Sequence, residues 1–156
     1  MKTVVNTPAL NSSSKFADMK GSHVAVRVPD FEISKKWYTE KLDFRIVHEW
    51  PFGDLKLAYL APATDDNFWI ELLAGGTPAN QPDYSDLNES LHQAGYHHFC
   101  INVNSVDETL AELRRRDVTI IGEPFNLEVI GRRLAFFSDP WGNLIELAEV
   151  LKLNQQ

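Results

Sequence analysis

The sequence predicts an α+β fold built from two copies of one β-α-β-β-β unit. Residues 67–73, Asn-Phe-Trp-Ile-Glu-Leu-Leu, have a counterpart 75 positions later in residues 142–148, Gly-Asn-Leu-Ile-Glu-Leu-Ala, with the central Ile-Glu-Leu in common. Both stretches have the apolar character of a strand with one carboxylate inside, at Glu71 and at Glu146. Self-similarity at a fixed period indicates a duplicated unit.

Each of these carboxylates has a histidine partner at a fixed distance along the chain. His23 precedes Glu71 by 48 positions, and His98 precedes Glu146 by the same number. A carboxylate inside an apolar strand is costly unless something compensates its charge. Two imidazoles and two carboxylates at matching positions of paired repeats favour one shared divalent metal ion. The predicted ligands are His23, Glu71, His98 and Glu146.

Composition limits the class of protein. The chain has 156 residues, of which 44% are hydrophobic, and this suffices for one compact domain. Its net charge of −7 argues against nucleic acid as a partner, since phosphate binding needs a basic face. The single cysteine, Cys100, cannot form an internal disulfide, and we find no signal peptide or membrane-spanning stretch in the sequence. We therefore expect a cytoplasmic protein that does not bind membranes.

The predicted organisation is one domain with short extensions. We expect a flexible leader over residues 1–20, a single domain over 21–150 and a tail over 151–156. Within the domain, the expected parts are a first module, a linker and a second module, over residues 21–74, 75–95 and 96–150. The linker is long for a compact domain, and such connections are usually functional or flexible.

The elements of the first module follow from alternation and turn residues. Asp30 is the expected N-cap of a helix whose apolar stripe contains Ile33, Trp37 and Tyr38. The expected helix covers residues 31–41, and the expected strands cover 23–28, 44–50, 55–61 and 67–73.

The second module repeats this order. A helix is expected after residues 104–105, with Val106, Leu110 and Leu113 at helical spacing. A tight turn is expected at residues 139–142, where Pro140 and Gly142 suit its backbone angles. The expected strands cover residues 98–103, 118–121, 132–138 and 143–148, and a short linker helix covers 86–93.

These elements and motifs resemble the vicinal oxygen chelate superfamily, which includes glyoxalase I, methylmalonyl-CoA epimerase, extradiol dioxygenases and the fosfomycin and bleomycin resistance proteins. The resemblance rests on His23, His98, residues 70–72 and the closing motif at residues 137–147. It implies a curved mixed sheet around a central cavity. It also implies that the four residues named above bind a divalent ion, namely nickel, zinc, cobalt, manganese or iron(II). Small members of the superfamily commonly form homodimers, so a homodimer is expected, with the site either within one chain or across two.

The ligand pattern is most similar to glyoxalase I and implies a metal-dependent lyase or isomerase. Such an enzyme would move a proton on a small substrate with neighbouring oxygens, such as the thiol hemiacetal of an α-ketoaldehyde, with Glu71 or Glu146 as the general base. Expected substrate contacts are Arg27, Trp69 and Asn102. At the position of the family's glutathione-binding Asn, four residues after Glu71, this chain has Gly75.

Three alternatives remain open at the sequence level. Methylmalonyl-CoA epimerase is related in mechanism, although its fourth-strand ligand is commonly Gln. An extradiol dioxygenase would use two His and one carboxylate, which would make Glu71 a surplus anion. A non-catalytic drug-binding protein would use the same cavity. For His97, which neighbours a predicted ligand, we expect core packing or a hydrogen bond to that ligand.

Overall fold

The computed structural model describes residues 5, 7–76, 86–92 and 94–151. Its first unit contains four strands and one helix in the predicted order. The elements are β1 (His23–Val28), α1 (Phe31–Leu42), β2 (Arg45–Phe52), β3 (Leu55–Ala61) and β4 (Trp69–Ala74). The predictions for the start of the leader, most of the linker and nearly all of the tail lie outside the described residues.

The second unit has the same plan with one interruption. It contains β5 (His98–Asn102), α3 (Val106–Arg115), β6 (Thr119–Ile120), β7 (Phe125–Leu127), β8 (Arg132–Ser138) and β9 (Leu144–Val150), and it follows the short linker helix α2 (Leu87–Ser90). The strand expected over residues 118–121 is present as the shorter β6, and β7 is a further strand that was not expected. Gly122, with φ of 77°, and Pro124, which has no backbone N–H, lie between these two strands.

Each unit forms its own sheet, and the α+β class with two mixed sheets is confirmed. The first sheet has the order β1-β4-β3-β2, and the second has the order β5-β9-β8-β6, with β7 also paired to β8. In both sheets the first strand runs parallel to the last strand of its unit, while the remaining pairs are antiparallel. The parallel pair brings the histidine strand next to the glutamate strand in each half.

Alternation gives each sheet two different faces. In β1, Val26 and Val28 are buried, whereas His23, Ala25 and Arg27 on the opposite face are exposed. The buried face contributes to one core cluster together with buried residues of α1 and α3. The histidines and glutamates consequently lie on the face that does not pack into this core.

Local signals position the two long helices. The Asp30 carboxylate accepts a hydrogen bond from the Ile33 amide at 2.8 Å, which confirms it as the N-cap of α1. Ser105 caps α3 in the same way through Glu108. The expected stripe of α3 is buried at Val106, Leu110 and Leu113.

The prediction for one residue of the apolar stripe in α1 is wrong. Ile33 is 63% exposed, whereas Phe31, Ser34 and Tyr38 are the buried residues of this helix. The helix turns its first residue and Ser34 toward the sheet, so Ile33 projects into solvent. Helical spacing identified an amphipathic segment but placed its buried stripe incorrectly.

Side-chain contacts join the two units. The Tyr38 hydroxyl of α1 donates a hydrogen bond of 2.9 Å to the buried Asp139 carboxylate in the turn between β8 and β9. In the same turn, the side-chain amide of Asn143 donates a hydrogen bond to the Arg27 carbonyl oxygen at 3.1 Å. The rings of Trp37 and Trp141 also meet edge to face, with centroids 6.4 Å apart. The closing motif therefore connects the second unit to the helix and first strand of the first unit.

The linker helix α2 is shorter than the helix expected over residues 86–93. The carboxylate of Asp86 accepts a hydrogen bond from the backbone amide of Glu89 and so caps α2.

In the described ranges, no helix has both the length and the apolar character needed to cross a membrane.

Candidate active site

The first half of the site is a histidine and glutamate pair on neighbouring strands. In the parallel register, Ala25 lies beside Glu71 and His23 lies beside Trp69, so the side chains of His23 and Glu71 project from the same face. The distance between His23 Nε2 and Glu71 Oε2 is 3.3 Å, and the two side chains are 32% and 14% exposed. The carboxylate is thus largely buried and has an imidazole as its partner.

The second half repeats this geometry with a tighter contact. Cys100 lies beside Glu146 in the register of β5 and β9, two residues after His98. His98 Nε2 lies 2.5 Å from Glu146 Oε2, with side-chain exposures of 29% and 13%. Each predicted histidine therefore contacts the predicted glutamate of its own unit.

The two pairs do not form one cluster within this chain. Among the residues that the structure describes, no group of three or more His, Cys, Asp or Glu side chains is arranged to hold a metal ion. The chain presents two half-sites, each with one imidazole nitrogen and one carboxylate. Both donor types suit divalent transition metals, and a four-ligand centre requires the two half-sites to be brought together.

The outer nitrogens of the two histidines have different surroundings. His23 Nδ1 lies 3.2 Å from the hydroxyl of the exposed Ser22. His98 Nδ1 instead lies 2.6 Å from Nδ1 of His97, whose Nε2 is 2.9 Å from the hydroxyl of Ser90 in α2. Burial, followed by the neighbouring His98, lowers the pKa of His97.

Aromatic rings cover the exposed side of the first sheet. Tyr59 is the centre of this row, with ring centroids 5.1 Å from His23, 5.4 Å from Trp69 and 4.6 Å from Trp50. His48 extends the row by stacking on Trp50 at 5.6 Å. Trp69, Tyr59 and Trp50 are only partly buried, so the row forms an accessible aromatic surface beside Glu71.

The equivalent face of the second sheet is covered. Phe136 lies beside Glu146 in the register, as Tyr59 lies beside Glu71 in the first sheet. It belongs to a buried cluster with Leu134, Leu144 and Ala148. Leu87 of α2 and Ile121 pack on this cluster.

The remaining predicted residues lie where alternation places them. Arg27, Asn102 and Cys100 are exposed on the histidine-bearing faces of β1 and β5, and Trp69 contacts Tyr59. Desolvation of the thiol, followed by the charge of Glu146, raises the pKa of Cys100 to about 11. Cys100 is therefore a thiol, not a thiolate, at neutral pH in the metal-free protein.

Sequence reasoning missed two groups of residues in the site. Tyr59 and Trp50 were not predicted as site residues because they do not repeat between the units, although alternation along the expected strands was a usable signal. The role of Ser90 had no signal in the sequence, because its contact with His97 depends on how α2 docks. For His97, the structure shows the hydrogen bond to its neighbour, one of the two expectations.

Comparisons with known proteins agree with this architecture. A family model described as the Glyoxalase/Bleomycin resistance protein/Dioxygenase superfamily matches residues 20–147. The chain is 29% identical over 129 residues to the uncharacterized protein YwkD of Bacillus subtilis, covering 81% of this chain and 94% of the relative. It is 27% identical over 131 residues to a probable lactoylglutathione lyase of Synechocystis sp., covering 81% and 92%. It is 25% identical over 142 residues to the mitochondrial methylmalonyl-CoA epimerase of Bos taurus, covering 82% and 73%.

Solved structures have the same fold. The glyoxalase family protein from Enterococcus faecalis superposes with a TM-score of 0.68 at 22% identity, covering 83% of this chain and 97% of the other. The fosfomycin resistance protein FosX from Listeria monocytogenes, solved with Mn(II) and sulfate, gives 0.55 at 18% identity, covering 83% and 91%. At these identities the similarity establishes the fold alone.

Proposed function

This chain belongs to the Glyoxalase/Bleomycin resistance protein/Dioxygenase superfamily, and on that basis we propose that it is a metal-dependent lyase or isomerase of the glyoxalase type. It would act by proton transfer on a small substrate with neighbouring oxygens, such as the thiol hemiacetal of an α-ketoaldehyde. Similarity to a probable lactoylglutathione lyase and to a methylmalonyl-CoA epimerase supports this class of reaction.

The matched histidine and glutamate pairs are the observation that carries the proposal. Both pairs are formed, at 3.3 Å and 2.5 Å, at equivalent positions of the two sheets. His23, Glu71, His98 and Glu146 would hold a divalent ion, and the ion would supply Lewis acidity to neighbouring substrate oxygens. A purely structural role would not require the same two polar residues on the exposed face of both sheets.

The two carboxylates are proposed to have different tasks. Glu71 has the longer histidine contact and lies beside the open aromatic surface, so its carboxylate can approach a carbon acid and accept its proton. Glu146 has the shorter contact and lies beside the covered face, which suits a fixed ligand. This assigns proton transfer to Glu71.

The surface around Glu71 also bears on the substrate. The row of Trp69, Tyr59 and Trp50 offers π faces for a planar or apolar group, and Arg27 is an exposed cation on the same face of β1. Gly75 adopts φ of 115° and has no side-chain amide to offer glutathione. We therefore propose an anionic substrate with an apolar or aromatic part and a thiol other than glutathione.

A second copy of the chain is proposed to complete the centre. The described part of one chain brings together two ligands at a time, so four ligands require the pair from each of two half-sites. A homodimer that places His23 and Glu71 of one protomer against His98 and Glu146 of its partner would form two such centres.

Metal analysis combined with activity assays tests the proposed reaction. The purified protein is expected to bind a divalent ion and to convert methylglyoxal in the presence of at least one of several thiols, as followed by thioester absorbance. Glu71→Gln should lower turnover by at least about 100-fold, and Asp65→Gln in a surface turn is the control. Full metal-dependent activity of Glu71→Gln would contradict the assigned role.

Mixing two inactive variants tests the proposed assembly. Glu71→Gln and Glu146→Gln protomers are unfolded together, refolded as a mixture and assayed. If the site lies across two chains, a mixed dimer contains one centre with all four native ligands, and part of the activity returns. If the site forms within one chain, every centre in the mixture stays defective and no activity returns.

A binding protein without turnover is the second candidate, favoured by the open aromatic surface. Ring stacking on Trp50 and Tyr59 could retain a planar drug without any metal ion. Quenching of tryptophan fluorescence by planar antibiotics, measured in the presence of a chelator, separates the candidates. Tight metal-independent binding together with absence of turnover would favour this reading over the enzyme.

A further inference from the structure

A chain of hydrogen bonds leads from the linker helix to the proposed ligand His98. The Ser90 hydroxyl lies 2.6 Å from the Leu87 carbonyl oxygen and 2.9 Å from His97 Nε2. His97 Nδ1 lies 2.6 Å from His98 Nδ1, and His98 Nε2 faces Glu146. The positions of the hydrogens in this series of hydrogen bonds follow from which atoms can donate and which can only accept.

The Leu87 carbonyl determines which group donates and which accepts in each hydrogen bond of this series. A carbonyl oxygen only accepts, so the short contact at 2.6 Å requires the single hydroxyl hydrogen of Ser90 to point at it. The Ser90 oxygen is then available to His97 as an acceptor. The contact of 2.9 Å accordingly places a hydrogen on His97 Nε2.

The position of the hydrogen on His97 in turn determines the position of the hydrogen on His98. A neutral imidazole carries one hydrogen, so His97 with a hydrogen on Nε2 has a lone pair on Nδ1. Two Nδ1 atoms at 2.6 Å need one hydrogen between them, and it must come from His98. In neutral His98 the Nε2 atom then carries a lone pair directed at Glu146.

We propose that Ser90 and His97 are positioning residues that hold His98 in the form with hydrogen on Nδ1, so that its Nε2 lone pair is presented for a metal ion. The inference rests on the proposed function, because it gives a task to the same ligand. His98 Nε2 and a Glu146 oxygen lie 2.5 Å apart, a separation that needs either a proton or a metal ion between the two atoms. Outer partners of this kind orient metal-binding histidines and increase their basicity.

The first half of the site provides an internal control. His23 Nδ1 meets only the hydroxyl of Ser22 among the hydrogen-bond partners found in the described residues, and that hydroxyl can either donate or accept. Ser22 is exposed, whereas Ser90 is 4% exposed and its helix is held by Leu87 against the covered face of the second sheet. The tautomer of His23 is therefore not fixed by the protein in the way proposed for His98.

Ring ¹⁵N NMR on the metal-free protein tests the direction of the chain. We expect hydrogen on Nε2 and a bare Nδ1 in His97, and hydrogen on Nδ1 of His98. Hydrogen on Nδ1 of His97 together with a bare Nδ1 in His98 would overturn the proposal. This measurement requires no metal. Failure of the protein to bind metal would therefore contradict the proposed function, while the hydrogen-bond proposal could still be tested.

Zinc titration of variants tests its consequence. Ser90→Ala and His97→Ala are expected to weaken zinc binding by about 10- to 100-fold, the range found for outer partners of metal ligands. His97→Asn should restore most of the affinity, because its amide oxygen can accept from His98 Nδ1. Ser22→Ala, the matched control, should have a clearly smaller effect than Ser90→Ala. Equal losses for His97→Asn and His97→Ala, in variants with native circular dichroism, would show a packing role and contradict the proposal.

Discussion

The two halves of this protein share the same order of strands and helix but surround their histidine and glutamate pairs differently. In the first half, Glu71 lies next to partly buried aromatic rings, and Nδ1 of its histidine meets a surface serine. In the second half, Glu146 lies next to the buried Phe136, and Nδ1 of its histidine is connected to the linker helix. The two units thus share the His and Glu pair but differ in the side chains that surround it.

The difference suggests a division of labour in the proposed reaction. An accessible aromatic face beside the longer His–Glu contact suits substrate binding and proton transfer, whereas a covered face beside the shorter contact suits firm coordination. Variants made at equivalent positions of the two halves test whether the two carboxylates have these different tasks.

The largest effect is expected from exchanging each glutamate for its amide. Glu71→Gln and Glu146→Gln should each lower kcat/KM by at least about 100-fold, the lower end for loss of a general acid or base. Zinc affinity should fall more for Glu146→Gln than for Glu71→Gln, because Glu146 is the proposed fixed ligand. Steady-state kinetics and zinc titration check both parts. A larger loss of zinc affinity in Glu71→Gln would reverse the assignment.

The turns that precede the glutamate strands should differ in their effect on stability. The Asp139 carboxylate accepts hydrogen bonds from Tyr38, from the Trp141 amide, and from both the amide and side chain of Asn143. Asp139→Asn turns an acceptor into a donor facing other donors, and should cost about 1–3 kcal/mol of unfolding free energy.

Asp65, in the corresponding turn of the first half, is the control for this substitution. Its carboxylate accepts only from Asn67 among the hydrogen bonds of the described residues, at an exposed position. Asp65→Asn should therefore change the urea midpoint much less than Asp139→Asn. Equal midpoints for the two variants would show that the buried contact with Tyr38 adds nothing to stability.

Asp139 should also give stability a pH dependence of defined sign. Burial is the largest cause of its raised pKa, which lies above the usual 3.8 despite the opposing hydrogen bonds. The folded state then holds this proton more tightly than the unfolded state. Its contribution to stability should fall as pH rises from about the unfolded pKa through the folded pKa. Urea unfolding across this interval should show that slope in the wild type and a weaker one in Asp139→Asn.

A moderate effect is expected at the aromatic surface. Trp50→Ala removes a ring that packs on Tyr59 and His48, and should raise KM by about 3- to 10-fold, in line with the strength of an aromatic contact. Phe125→Ala, which removes a ring stacked on Phe136 in the second half, is the control and should leave KM nearly unchanged. Reversal of the two KM values would identify the second face as the substrate surface.

The smallest effect is expected at the charged contact between the helices of the two halves. Arg116 at the end of α3 pairs with Asp43, the residue after α1, at 2.8 Å, and also with Glu112. The Asp43 side chain is 61% exposed, so solvent screens the pair. Arg116→Ala should cost about 1 kcal/mol or less. A larger loss in thermal unfolding than that of Tyr38→Phe would make this contact the main joint between the halves.

Much of the fold could be predicted because its signals are local. Asp30 and Ser105 cap their helices, and the turn at residues 139–142 forms where Pro140 and Gly142 indicated it. Alternation correctly assigned the faces of β1. The prediction failed for Ile33, where packing against the sheet set the orientation of the helix, and it did not include β7.

Within the site, the sequence identified the repeated His and Glu residues, and the parallel pairing of the first and last strands of each unit brings them together as pairs. Tertiary structure alone decided the surroundings. Ser90 reaches His97 because α2 docks on the second sheet, and Tyr59 lies beside Glu71 because β3 pairs with β4 in one register. Contacts of this kind join elements that are distant in sequence, and their geometry depends on how whole faces pack, which no repeat or spacing records.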